Sequence, residues 1–391
     1  MKILITTDSY FPTLGGAEVY AYQLATFLKK EGHHVELLTS ETRVGNHDSE
    51  FPTHRVLFSR NPVKLFKFLR TYYRLTREAD VVHSIYSHKI AAIGGILRFF
   101  IKKKVIQVIS LQGRGILDLP GNSFFYARVH RIYRWISLKR ANVVVASCYE
   151  FVDIAKRYIS EKKIVYIPNL VDIEKFTCSE RKYDLLPFEY KGQPLVFTIR
   201  RLVPKNGIQF LIESVPYILK NNAEVKFVLI GWGILEEYLK KRVKELNIED
   251  SVFFIGKVEN EHLQQYLNLA DIVVFPSTAE STSIACLESM SLSKSIVASN
   301  VGGYPEMVQN GVNGFLVNLT DTKNSDYGAP MTLSENKLQS LAQTVMTLVR
   351  NPQKREEFGK NSRRLIEKNF TWQKHIKTII GCYKTFGYDR N

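Results

Sequence analysis

Along this 391-residue chain, short runs of β-branched and apolar residues alternate with longer stretches of helical periodicity, and the alternation occurs twice. In the first half, apolar runs at residues 2–7, 34–39, 80–84, 105–110, 143–147 and 164–168 predict strands. In the second half, the corresponding runs are 195–199, 225–231, 252–256, 272–276 and 295–298. None of these runs alternates with polar residues, so each strand is expected to be buried on both faces, as in parallel sheets covered by helices. Two such series predict an α/β architecture of two doubly wound domains. Small-molecule sites in such domains lie beyond the carboxyl ends of the strands. The polar, proline-bearing stretch 178–194 has no periodicity and reads as the linker, giving domains at 1–186 and 187–369. From residue 338 onward the pattern is helical to the end.

Composition adds one strong feature. With 45% hydrophobic and 24% charged residues, the chain has ample apolar material for packed cores, which excludes collagen-like, low-complexity and wholly disordered classes. Its net charge of +16 is uneven: residues 60–140 hold 17 Lys and Arg against three acids, Glu78, Asp80 and Asp118. That concentration predicts an anionic partner, either a phospholipid surface, a phosphorylated substrate or nucleic acid. Residues 62–77 sort their faces at about 100° per residue, with Lys64, Lys67, Arg70, Arg74 and Arg77 in one arc and Leu65, Phe68, Leu69, Tyr72, Tyr73 and Leu75 in the other. A solvated amphipathic helix would explain the apolar arc but not the lack of acids in the polar one. The four cysteines form no CxxC or Cys/His cluster, so a disulfide framework or structural zinc is not expected and a cytoplasmic, reducing setting fits. The longest apolar stretch, 90–109, is broken by Arg98 and Lys102–Lys104, so no membrane span is predicted, while attachment at a membrane surface stays open.

Three segments carry candidate chemistry. Gly15-Gly16-Ala17-Glu18 follows the first strand and opens a helix, where glycines let a ligand reach free backbone N–H groups; a simple tight turn is the alternative. Arg200-Arg201-Leu-Val-Pro-Lys205-Asn-Gly207 follows the first strand of the second series, where cations are placed to neutralise a diphosphate, or to form only a solvated loop. In Pro276-Ser-Thr-Ala-Glu280-Ser-Thr-Ser-Ile-Ala-Cys-Leu-Glu288, Thr282 or Ser283 can cap a helix, leaving the Ser283 and Ile284 amides for an anion. Glu288 in that helix can accept two hydrogen bonds from vicinal hydroxyls, or be an exposed acid. No Asp-x-Asp occurs, nor a Gly-x-Ser-x-Gly elbow or P-loop, so no metal or other cofactor is expected and a bound diphosphate would be met by cations and helix ends.

Taken together these residues resemble the family 4 retaining glycosyltransferases with the GT-B fold. The resemblance runs nearly end to end, through GGAE at 15–18, EGHHV at 31–35, DVVHS at 80–84, IPNLVDIEKF at 167–176, RRLVP at 200–204, LIGWG at 229–233 and ADIVVFPS at 270–277. It continues through Glu280 and Glu288, VGGYPEMVQNGVNGFLV at 301–317 and a closing helix at 370–391 that in the family crosses back to the first domain. The resemblance implies two Rossmann-like domains facing a cleft, with the acceptor on the first. The second would hold a nucleotide-diphosphate sugar, a UDP-sugar before GDP-mannose, for transfer with retention and without a metal. By the same resemblance Gly15 and Gly16 approach the diphosphate or sugar, Arg201 pairs with the phosphates, and Glu280 contacts the sugar. Glu288 holds the ribose, and Gly231, Ser281, Thr282, Ser283 and Ile284 line the donor site.

Three departures stand out. Where relatives carry a lysine two residues after the proline of RLVP, this chain has Asn206, with Lys205 beside it as a substitute for phosphate binding. The usual Gly-Phe-Gly after the first glutamate is Ser281-Thr282-Ser283. In VISLQGRG at 108–115 the usual histidine is Gln112, which can orient a sugar by hydrogen bonding but cannot titrate near neutral pH. Same-face substitution would then rely on a departing phosphate oxygen to take the acceptor's proton. His83 is the nearby titratable alternative on the acceptor side. The basic face predicts peripheral attachment to an anionic inner membrane surface and a lipid-linked, glycan or phosphorylated acceptor. A nucleotide-sugar 2-epimerase and a basic nucleic-acid-binding protein are the competing readings. The oligomeric state is not legible.

Overall fold

The structure, a computed structural model, describes residues 1–13, 15–44, 46–85, 88–112, 124–220, 224–319 and 332–388, with the side chains of 46–47, 124–127 and 386–388 excepted. It divides into two compact units, residues 1–170 with 372–391, and residues 171–371.

The first unit is built on a seven-stranded, all-parallel sheet in the order β3-β2-β1-β4-β5-β6-β7. Its strands are β1 (Lys2–Thr7), β2 (His34–Thr39), β3 (Thr53–Arg55), β4 (Val81–Ile85), β5 (Ile106–Leu111), β6 (Val143–Ala146) and β7 (Ile164–Tyr166). The helices between them are α1 (Gly16–Lys30), α2 (Pro62–Glu78), α3 (His88–Leu97), α4 (Phe124–Arg140) and α5 (Tyr149–Lys156). Apart from β3 and β7, strand residues are almost all buried, as the uninterrupted apolar runs require. Asn61 caps α2 by accepting from the Val63 and Lys64 amides, and Pro62 sits at its first position, where a missing N–H costs nothing.

The second unit holds a six-stranded parallel sheet in the order β10-β9-β8-β11-β12-β13. Its strands are β8 (Leu195–Ile199), β9 (Lys226–Ile230), β10 (Val252–Gly256), β11 (Ile272–Phe275), β12 (Ser295–Ser299) and β13 (Gly314–Val317). The helices are α6 (Ile208–Leu219), α7 (Glu236–Glu245), α8 (Leu263–Leu269), α9 (Ile284–Ser291), α10 (Tyr304–Met307), α11 (Glu335–Val349) and α12 (Pro352–Asn369). One apolar core lies under α6, α7 and α11, and another under α8, α9 and α12.

The unit boundary falls at 170/171, not at 186/187. Residues 171–186 belong to the second unit because Val171, Phe176 and Leu186 are buried in its core. The polar stretch 178–194 is therefore a surface strap of that unit. The chain enters and leaves the second unit side by side: Val171 pairs with Thr371 in an isolated parallel bridge, and the Val171 amide donates to the Phe370 carbonyl. The last helix, α13 (Trp372–Tyr388), packs in the first unit. There the Trp372 ring stacks on Phe27 with centroids 5.3 Å apart, and its indole N–H donates to Gln23 Oε1 at 2.8 Å.

Candidate functional site

In the second unit, β9, β8, β11 and β12 are consecutive in the sheet, so the loops at their carboxyl ends converge. Backbone and side-chain contacts lace these loops together. The Arg200 amide donates to Ile230 O at 3.0 Å, the Leu202 amide to Trp232 O at 2.8 Å, and the Thr278 amide to Lys205 O at 2.8 Å. Gly231 has φ +145°, and any side chain there would collide with the Arg200 carbonyl. Gly302 has φ +54°, and a Cβ would strike the Glu280 carbonyl. The sequence places both glycines in motifs, and the structure shows why these positions reject side chains: each lets one loop rest on the backbone of another. Gly231 thereby serves the loop that carries Arg200 and Arg201.

At the centre lies an ion pair between Arg200 and Glu280. The same guanidinium donates through Nη2 to Ser277 Oγ at 2.7 Å and through Nη1 to Ser283 Oγ at 3.2 Å, while Nε has no hydrogen-bond partner among the described residues. Burial pushes the Glu280 carboxyl up, but the charges of Arg200 and Lys205 more than offset this, and it is held below the usual carboxylate value. Burial likewise opposes the Arg200 charge, and Glu280 overrides it. The other Glu280 oxygen, Oε1, accepts from the Ser281 amide at 3.2 Å. Tyr304, at the start of α10, is buried beside this group, with Ser277 next to its hydroxyl.

Ser283 is the N-cap of α9, its Oγ accepting from the Cys286 amide. Ser281, Thr282, Ser283 and Ile284 are all buried, so this segment is not a solvated loop. Glu288 follows within α9 and is only 2% exposed, so it is not the exposed helical acid of the alternative reading. Its carboxyl makes no hydrogen bond or ion pair among the described residues, and burial pushes it up to about 8, with Lys175 the cation that acts against this. A buried carboxyl without a partner is costly unless something else supplies donors.

The two arginines of the doublet take different places. Arg201 is exposed, and Arg200 rather than Arg201 holds Glu280. Lys205 is half-buried and close enough for its charge to reach Glu280. Asn206, at the position where a lysine was expected from the resemblance, is 4% exposed and donates to the Arg201 carbonyl at 2.7 Å. A side chain that braces the loop thus stands where a cation would face a ligand. Arg200 was visible in the sequence only as one half of a doublet. Both residues follow directly on β8, and periodicity does not distinguish one from the other.

In the first unit, Gly15 is the N-cap of α1 with extended backbone, and a Cβ there would meet the carboxylate of Glu18 at 2.5 Å. Glu18, itself buried, also accepts from Ser9 Oγ. Here the missing side chain makes room for Glu18; Gly16 begins α1. Gln112 lies just beyond β5, 4% exposed, and its Nε2 has no hydrogen-bond partner among the described residues; residues 113–115 of its motif lie outside them. His83 is not on an outer face. It is fully buried in β4, sharing hydrogen bonds with Tyr383 Oη at 2.6 Å and Ser110 Oγ at 2.7 Å, and burial lowers it to about 3. It is a neutral core residue that ties α13 to the sheet. Lys64, Lys67, Arg70, Arg74 and Arg77 are all exposed on α2, and none forms an ion pair among the described residues. Val63 and Phe66 are exposed between them, while Phe68, Tyr72 and Leu75 are buried on the opposite face. No helix among the described residues is long and apolar enough to cross a membrane, and no group of three or more His, Cys, Asp or Glu among them could hold a metal ion.

This chain shares 23% identity over 402 residues with the N-acetyl-alpha-D-glucosaminyl L-malate synthase of Bacillus anthracis, covering 100% of this chain and 97% of that protein. It shares 26% over 338 residues with the UDP-Gal:alpha-D-GlcNAc-diphosphoundecaprenol alpha-1,3-galactosyltransferase of Escherichia coli, covering 82% and 85%. In fold it is similar to HepE of Anabaena crystallised with UDP-glucose, at a TM-score of 0.78 and 19% identity, covering 98% of this chain and 100% of that one. Residues 14–175 match the family described as Glycosyltransferase Family 4, and residues 187–326 match Glycosyl transferases group 1. With two parallel-sheet units behind these two matches, which together span more than half of the residues, the chain belongs to the family 4 glycosyltransferases of the GT-B fold.

Proposed function

We propose that this enzyme transfers a sugar, with retention of anomeric configuration, from a nucleotide diphosphate to a hydroxyl of a lipid-linked or glycan acceptor. A UDP-sugar is the favoured donor and GDP-mannose the second choice. The observation that carries the donor assignment is the buried carboxyl of Glu288, without a hydrogen-bond partner among the described residues, one turn into a helix whose start is bound to the Arg200–Glu280 pair. A ribose presents vicinal hydroxyls that would supply the two donors Glu288 lacks. The Ser283 and Ile284 amides at the start of α9 would take phosphate oxygens, and Arg201 and Lys205 would neutralise the diphosphate, a role that in other enzymes falls to a metal. Glu280, held as a carboxylate, would accept from hydroxyls of the sugar.

As the glycosidic bond breaks, positive charge develops at the anomeric carbon and negative charge on the leaving phosphate. Arg201 and Lys205 stabilise the second more than they stabilise the intact donor, which is the condition for catalysis. The leaving oxygen, on the same face as the incoming hydroxyl, takes the acceptor's proton. No titrating histidine is needed: His83 is locked neutral in the core. Gln112 has a buried amide donor suited to a substrate hydroxyl, and a Gln112→Ala enzyme with unchanged turnover would remove it from that role.

The names of two proteins support the donor and acceptor classes: HepE was crystallised with UDP-glucose, and the E. coli relative is named for UDP-Gal and an undecaprenol-linked acceptor. The basic face of α2, whose single acid, Glu78, is paired with Lys2 at the helix end, carries exposed Val63 and Phe66 and supports peripheral attachment to anionic lipid, each cation contributing roughly 1 kcal/mol near such a surface. A thermal-shift panel of UDP-glucose, UDP-galactose, UDP-N-acetylglucosamine and GDP-mannose tests the donor. One of these is expected to raise the melting temperature; no shift with any of them contradicts the reading.

A further inference from the structure

All three acceptors of the Arg200 guanidinium lie on one segment, the loop from β11 to α9. They are Ser277 at its start, Glu280 in its middle and Ser283 at the helix cap. In reaching all three the guanidinium directs both terminal nitrogens at this one loop, while Nε has no hydrogen-bond partner among the described residues. A buried ion pair is itself a weak source of stability, because desolvating both charges offsets their attraction. Its geometric effect is strong, since a planar fork fixes both the direction and the charge of its carboxylate partner.

We propose that Arg200 is a positioning residue for sugar recognition. It keeps Glu280 ionised, engages Oε2, and leaves Oε1 as the acceptor for a donor-sugar hydroxyl. Through Ser283 it ties that carboxylate to the helix start expected to receive phosphate, so that sugar and diphosphate are held in one fixed relation. This rests on the reading that the second unit binds a nucleotide sugar. The charged and titratable groups around Glu280 are Arg200 and Lys205 from the loop after β8, Cys286 from α9 and Tyr304 from α10. Lys205 acts on Glu280 through its charge alone, while Cys286 and Tyr304 are pushed by burial toward their neutral forms. Without Arg200, burial would be opposed by the Lys205 charge and the Ser281 amide alone among these groups, and Glu280 would take up a proton at a higher pH than in the wild type.

The test compares affinities for a nucleotide sugar and its bare nucleotide, UDP-glucose and UDP (or GDP-mannose and GDP if that donor gives the shift), between pH 5.5 and 8.5. The ratio of the two affinities isolates sugar recognition, because contributions from the ribose and base cancel. In the wild type the pH dependence of this ratio is that of UDP's own terminal phosphate, which titrates at about pH 6, so each variant is read as its ratio divided by the wild-type ratio at the same pH. In Arg200→Gln, UDP affinity should stay within about threefold of wild type while this quotient falls about tenfold at the acid end of the range and recovers as pH rises. Arg200→Lys, which keeps the charge but loses the fork, should give a pH-independent quotient reduced about threefold. If Arg200→Gln does not fold, Arg200→Lys and Glu280→Gln decide: both should lower the ratio with UDP affinity retained. Equal losses for UDP and UDP-glucose would make Arg200 a phosphate ligand and overturn the proposal, as would a wild-type ratio and pH profile in the variants. If the wild type binds neither nucleotide, the function reading fails instead.

Discussion

At pH 7 the Glu288 carboxyl, pushed up to about 8 by burial, is about nine-tenths protonated in the free protein. Two ribose hydroxyls donating to it favour the carboxylate, because a donor to an acid group stabilises its charged form. If the bound value returns to the usual carboxylate range, near 4.5, binding one nucleotide sugar at pH 7 releases about 0.9 proton. The binding constant should then rise about tenfold per pH unit between pH 6 and 7, or about 1.4 kcal/mol, and level off above about 8. A nucleotide sugar is the right ligand, since its diphosphate has no group titrating near neutrality. Titration calorimetry at pH 7 in two buffers of different ionisation enthalpy measures the released proton directly, and Glu288→Gln should abolish both the release and the slope. The free protein supplies the converse. The penalty for burying this group is absent below the unfolded value of 4.5, grows as pH rises toward about 8, and is constant above it. Wild-type stability should therefore decline over that window relative to Glu288→Gln. A buffer-independent binding enthalpy, or a slope that survives Glu288→Gln, would refute the placement of the ribose on Glu288.

Three further outcomes follow from the geometry. Gly302→Ala puts a side chain at φ +54° against the Glu280 carbonyl and should cost at least about 2 kcal/mol in denaturant unfolding, with sugar affinity reduced in any folded fraction. Asn206→Lys restores a lysine common in relatives but removes the hydrogen bond to the Arg201 carbonyl and buries an ammonium, so it should lower stability by roughly 1–3 kcal/mol rather than improve donor binding. Replacing Lys64, Lys67, Arg70 and Arg74 by glutamine should reduce binding to anionic vesicles by about 100-fold or more at low salt, with nucleotide-sugar affinity unchanged; equal binding of wild type and variant to such vesicles would remove the membrane role of α2.

Much of the fold was legible because parallel strands buried on both faces leave uninterrupted apolar runs, and eleven of these were in place. The two strands that escaped, β3 (Thr53–Arg55) and β13 (Gly314–Val317), are short edge strands, and three or four residues carry no period. The domain boundary escaped because residues 178–194 look like a linker in composition, while Phe176 and Leu186 anchor the strap in the second core. At the site, Glu280 and Glu288 were legible from their spacing and the caps around them. The Arg200–Glu280 pair was not, since nothing in a doublet of like residues tells which of them turns inward. His83 stood out as a polar residue at a strand end, and only the packing of Tyr383 from a helix 300 positions away shows it to be a core residue.

Retention at the anomeric carbon can be read directly by proton NMR of the sugar released when the enzyme, at high concentration, hydrolyses its α-linked donor without acceptor. With retention the α-anomer appears first, ahead of mutarotation, because water enters on the face the phosphate leaves. First appearance of the β-anomer would contradict it.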